Sequence, residues 1–84
     1  MDIIKIGTIE LSGFEAERLY ESGKRYLVTY SKIYALDYSV NAGYHGRLIY
    51  RRQEKGGFTR RGRFFAYPAS EVNHLLGFKL LQED

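Results

Sequence analysis

The sequence predicts an α+β domain, a small antiparallel sheet of four to six strands carrying two short helices, in the order β-α-β-β-β-α-β. Three observations lead there. Segments rich in β-branched and aromatic residues alternate with glycine-bearing turns. Two stretches carry helix start and stop signals, Ser12-Gly13-Phe14-Glu15 with Gly23, and Pro68 with Gly77. At 84 residues the chain is the size of one domain, spanning 1–84. A small SH3-like or OB-like barrel is the alternative arrangement of the same strands.

The chain begins with alternation. Over 2–11, Ile4, Ile6, Thr8 and Glu10 fall on one side, and Ile3, Lys5, Gly7, Ile9 and Leu11 on the other, which reads as one strand. Ser12 and Glu15 then have capping-box spacing, opening a helix over about 13–21. Ala16, Leu19 and Tyr20 mark its inner side, Glu17, Arg18 and Glu21 its wet side, and Gly23 its end.

Tyrosines recur at 26, 30, 34 and 38 within 25–38. Val28, Thr29 and Ile33 favour strand there. Either the stretch is one long strand or Ser31-Lys32 turns it into two. Its tyrosines read as a core wall or as a stacking platform for bases or sugars. A loop is expected over 39–46, with turn chemistry at Asn41-Ala42-Gly43. Gly43-Tyr44-His45-Gly46 matches the GxxG pattern of an RNA-clamping loop, but strands rather than helices flank it, so it reads as a lip.

Residues 44–67 read as a long β-hairpin turning at Gly56-Gly57. That register sets Arg52 opposite Arg61, Tyr50 opposite Arg63, Ile49 opposite Phe64 and Leu48 opposite Phe65. A phosphate would relieve the repulsion between the paired arginines. Gly62 reads as a bulge or a close backbone approach. Beyond it, Pro68 starts a second helix with Val72, Leu75 and Leu76 as its apolar edge, and Gly77 caps it. Residues 78–82 read as a closing strand.

Charge gives the functional lead. The segment 44–67 holds seven of the thirteen Lys and Arg residues, namely Arg47, Arg51, Arg52, Lys55, Arg60, Arg61 and Arg63, against the single acid Glu54. It is net +6 in a chain of net +3, so the remainder carries net −3. Arginine outnumbers lysine five to one over 51–63, a choice that solubility alone does not require. The planar guanidinium grips phosphate or carboxylate through paired hydrogen bonds and stacks on aromatic rings. Tyr44, Tyr50 and Phe58 are interleaved as candidate stacking partners. The bland counterpart is a set of soluble arginines guarding a strand edge.

Catalytic and metal chemistry find little support. Without cysteine there is no disulfide, no zinc-thiolate site and no thiol nucleophile. His45 and His74 are far apart in sequence, and Asp37 or Glu71 would have to complete any metal site. No phosphate-binding loop or nucleophile elbow is present. A small nuclease would draw on Tyr44, His45, Arg47 and Tyr67. The opening MDIIKIGTIEL lacks a signal peptide's basic and apolar regions, and no apolar run is long enough to span a membrane. A cytoplasmic protein is expected, with no cofactor.

The leading expectation is a non-enzymatic protein that binds nucleic acid through the basic hairpin. Next comes a protein-directed inhibitor docking on an acidic surface. In size, absence of cysteine and use of Tyr and Arg, the chain resembles the small accessory proteins of phages and mobile elements, including inhibitors of host defence enzymes. Capture of a phosphorylated small molecule or nucleotide signal is the third expectation. A chain this small also buries only about 60–65% of its unfolded surface, which makes a homodimer a reasonable expectation.

Overall fold

In a computed structural model, which describes residues 3–53 and 56–79, the chain is α+β with six strands and two helices. Strands β1 (Ile3–Ile6) and β2 (Ile9–Ser12) form a two-stranded hairpin. Helix α1 (Gly13–Ser22) follows. Strands β3 (Tyr26–Val28), β4 (Lys32–Ser39), β5 (Gly43–Arg51) and β6 (Phe65–Tyr67) form an antiparallel sheet in the order β5-β4-β3-β6. Helix α2 (Ala69–Leu76) comes last.

The sheet is sandwiched. On one face Leu27, Tyr34 and Leu36 pack with Ile6, Ile9 and Leu11 of the small hairpin and Ala16 of α1. On the other, Val28 and Ile33 pack with Val72 of α2, flanked by Tyr26, Ile49, Tyr50 and Tyr67. Successive side chains of β3 and β4 thus feed opposite cores, as a period of two requires.

Local chemistry explains most boundaries. The Ser12 hydroxyl accepts from the Glu15 amide at 3.1 Å, and the Glu15 carboxylate accepts from the Ser12 amide at 3.2 Å, closing the capping box. Gly23 and Gly77 end their helices in the left-handed region, at φ +85° and +78°. Pro68 stands just before α2, and its carbonyl accepts from the Glu71 and Val72 amides.

In the first half of the chain two expectations are corrected and one open alternative is resolved. The single strand over 2–11 is a hairpin turning at Gly7-Thr8, with Gly7 at φ +63° and Ile6 paired with Ile9. A two-residue turn shifts the alternation by one, which buries Ile6, Ile9 and Leu11 together. The stretch 25–38 takes its two-strand form, with the turn at 29–31. The 39–46 loop shrinks to Val40, Asn41 and Ala42, and 43–46 is strand rather than lip.

The largest correction concerns 44–67. It is not a hairpin: β5 pairs with β4, β6 pairs with β3, and the two stand on opposite edges of the sheet. None of the expected pairs across Gly56-Gly57 forms. Gly62, at φ +80°, lies in a turn in which the Arg63 amide donates to the Arg60 carbonyl at 3.2 Å, and the sheet's bulge falls at Ile49 instead. The bulge lets Ile49 and Tyr50, neighbours in sequence, pack on the same core. Phe78 and Lys79 are not strand; the rest of the closing strand expected over 78–82 lies outside the described residues.

Candidate nucleic-acid interface

The segment linking β5 to β6 crosses from one sheet edge to the other by passing over the β3–β4 turn. Two backbone bonds fasten it there. The Arg52 amide donates to the Ser31 carbonyl at 2.8 Å, and the Phe58 amide donates to the Tyr30 carbonyl at 2.9 Å. Gly57 lies directly against the Tyr30 ring, and the Arg61 guanidinium sits over that ring at 4.9 Å from its centre. The turn therefore acts as a peg, and the basic segment is strapped across it.

This crossing gathers cations that the expected hairpin would have spread along its length. Lys32 stands directly opposite Arg51 in the β4–β5 ladder, a like-charge pair on one side of the sheet. Lys32 also lines a cleft of about 380 Å³ together with Arg63, Tyr30, Ser31, Phe64 and Glu10. The side chains of Arg51, Arg60 and Arg63 are exposed and make no ion pair among the described residues. Lys32 was missed in the sequence. Its only signal was its place beside Ser31 in a possible turn, and its cross-strand neighbour depends on the register.

Arg52 behaves differently. Its guanidinium stacks on Phe58 at 3.9 Å, and its Nε is buried without a hydrogen-bond partner among the described residues. Phe58 in turn meets Tyr50 at 6.0 Å, and Tyr50 meets Phe78 at 6.1 Å. Tyr50 and Phe58 are half-buried against the Val28–Ile33–Val72 core. The two rings thus wall a core and support an arginine rather than standing free.

Two expected members lie elsewhere. Arg47 turns to Asp37, with Nε and Oδ2 at 2.8 Å, the one ion pair among the described residues. That hydrogen bond, then the carboxylate's charge, raises the guanidinium's already high pKa. Tyr44 is near the start of β5, at the opposite end of the sheet and paired with Tyr38, within 4.8 Å of Tyr38 and 5.6 Å of Tyr20 between ring centres. Partial burial first, and then the carboxylates of Glu17 and Glu21, push its phenol above the ordinary value of 10.0. This aromatic end faces acids where the other end gathers arginines. Lys55 lies outside the described residues.

The nuclease quartet is not assembled. Tyr44, His45 and Arg47 are on β5, whereas Tyr67 is on β6. Tyr67 and Arg47 share a row through Tyr26 and Ala35, three strand spacings or about 14 Å apart. His45 Nδ1 lies 3.0 Å from the Gly43 carbonyl. Among the described residues no three His, Asp or Glu side chains gather as metal ligands, and no helix is long and apolar enough to cross a membrane.

The chain matches no protein-family model, and no curated protein or solved structure shows significant similarity to it.

Proposed function

We propose that this protein binds nucleic acid without catalysing a reaction on it, through the basic end of the sheet around Tyr30. The observation that supports this most is the convergence of Lys32, Arg51, Arg61 and Arg63 on one turn, with Lys32 and Arg51 adjacent and unneutralised among the described residues. A like-charge pair held this way repels itself, and a phosphate placed between the two removes the repulsion and gains charge-assisted hydrogen bonds. Arginines bound to phosphate fix position and carry most of the affinity. The rings of Tyr50 and Phe58 serve to hold Arg52 in place, so stacking on bases is secondary in this reading.

The test compares two sets of substitutions in a gel-shift titration. Arg51→Ala combined with Arg63→Ala is expected to weaken binding by about tenfold or more, as the removal of two phosphate-binding cations predicts. Arg47→Ala, which removes a guanidinium already engaged by Asp37, is expected to change binding little. Equal affinity of all three proteins would defeat the proposal and turn attention to an acidic protein surface.

A further inference from the structure

The two ends of the β4–β5 ladder differ in kind. Lys32 stands opposite Arg51 at one end and Tyr38 opposite Tyr44 at the other, six residues along β4 or about 20 Å away. At the tyrosine end the rings of Tyr20, Tyr38 and Tyr44 lie against one another, their centres 4.8 to 6.4 Å apart. Tyr38 is 51% exposed, and Val40, in the turn just after it, is 91% exposed. Glu17 and Glu21, one helical turn apart on α1, are exposed and form no ion pair among the described residues. Both stand close enough to the Tyr44 phenol to raise its pKa.

The ring cluster already holds one guanidinium. Arg25 sits over the Tyr20 ring at 3.8 Å from its centre, and its Nε donates to the Tyr20 carbonyl at 2.9 Å. Arg18 lies over Phe14, Arg52 over Phe58 and Arg61 over Tyr30 in the same way. Four arginines so placed in 84 residues exceed the roughly one per 70–80 residues ordinary in proteins, so a guanidinium on a ring is a recurrent device of this chain. Arg51, Arg60 and Arg63 are exposed and have neither a ring nor an acid among the described residues. Unmatched arginines thus stand at one end, and an exposed ring flanked by carboxylates at the other.

We infer that the tyrosine end of one copy receives the basic end of a second copy, whose exposed arginines seat on Tyr38 beside Glu17 and Glu21. The two surfaces differ, so the contact is head-to-tail and each copy keeps one end open for the next. The inference does not rest on the nucleic-acid reading. It draws on the same arginines, so the two kinds of binding compete for that end.

Sedimentation velocity over a range of protein concentrations at low salt tests it. The wild type is expected to sediment increasingly faster than a 9.8 kDa monomer as concentration rises, and added salt to reverse this. Glu17→Lys with Glu21→Lys sets like charges before the arginines and is expected to weaken association by about tenfold or more. Both positions are exposed, so the wild-type melting temperature is expected to be kept, measured alongside. Arg51→Ala with Arg60→Ala and Arg63→Ala is expected to weaken association from the other end. Mixing the two variants reads the geometry. Each supplies the end that the other lacks, so the mixture is expected to form pairs that grow no further. A wild type that stays monomeric at every concentration overturns the inference. So does an association that both variants retain, or one that mixing fails to restore. Nucleic-acid binding is read separately by gel shift, so either account can fail without the other.

Discussion

Gly57 lies flat against the ring of Tyr30, so close that a Cβ on Gly57 would overlap the ring and come within 2.7 Å of the Tyr30 carbonyl oxygen. That contact seats the basic segment on the β3–β4 turn. Gly57 has no left-handed φ, so the constraint there is space rather than backbone conformation. Gly57→Ala is expected to destabilise the fold by about 1–3 kcal/mol, the usual cost of overpacking, seen as a lower urea midpoint. Gly13→Ala is the control. Nothing lies near its Cβ, and the loss of unfolded-state freedom is expected to stabilise by about 0.4–1 kcal/mol.

A second close approach ties the small hairpin to the sheet. A Cβ on Gly46 of β5 would run into the Ile6 side chain, 2.9 Å from its Cδ1. Gly46→Ala is expected to cost about 1–3 kcal/mol. Combining it with Ile6→Ala should cost clearly less than the sum of the two single changes, because the second makes room for the first. Additive costs in denaturant titrations would show that β1 does not press on β5 in this way.

The capping box was legible in the sequence, and its energy can be checked directly. Ser12→Ala removes the hydroxyl that accepts from the Glu15 amide, and a loss of about 1 kcal/mol is expected. Ser12→Gly should cost only a few tenths. A circular-dichroism melt of the two variants distinguishes these outcomes.

Tyr44 gives a pH dependence with a definite sign. Its folded-state pKa is raised above 10.0, by partial burial and then by Glu17 and Glu21. The folded state therefore holds this proton more tightly than the unfolded chain does. The resulting stability is fully present below pH 10.0 and is lost as pH rises through the folded value. Tyr44→Phe has no proton to lose, so its stability is expected to fall less steeply than wild type above pH 10.0. Parallel alkaline profiles would show that Tyr44 does not carry this dependence.

What the sequence disclosed was mostly local. Ser12, Glu15, Gly23 and Gly77 act through neighbours within a turn or two, and the chain around them is enough to read their roles. The β1–β2 turn was also written locally, as a shift from the even Ile4 and Ile6 to the odd Ile9 and Leu11 across Gly7-Thr8, and a longer alternation masked it. Strand partnership was not local. Gly56 does adopt a turn conformation, at φ +96°, yet the strands on either side pair elsewhere. Val28 and Ile33 need β3 and β4 side by side at the sheet's centre, covered by Val72, and this sends β5 and β6 to opposite edges. The basic character of the segment was visible from composition. Its convergence with Lys32 depended on that long-range pairing.

The central claim is that the cations around Tyr30 meet phosphates, and salt dependence tests it most directly. Anisotropy of labelled single- and double-stranded DNA and RNA is titrated with protein over a series of salt concentrations. A linear fall of log affinity with log salt is predicted. Replacing Lys32, Arg51 and Arg63 together by alanine should reduce its slope by about one unit for each phosphate that is no longer neutralised. No binding at low salt, or a slope unchanged in the triple variant, would contradict the claim.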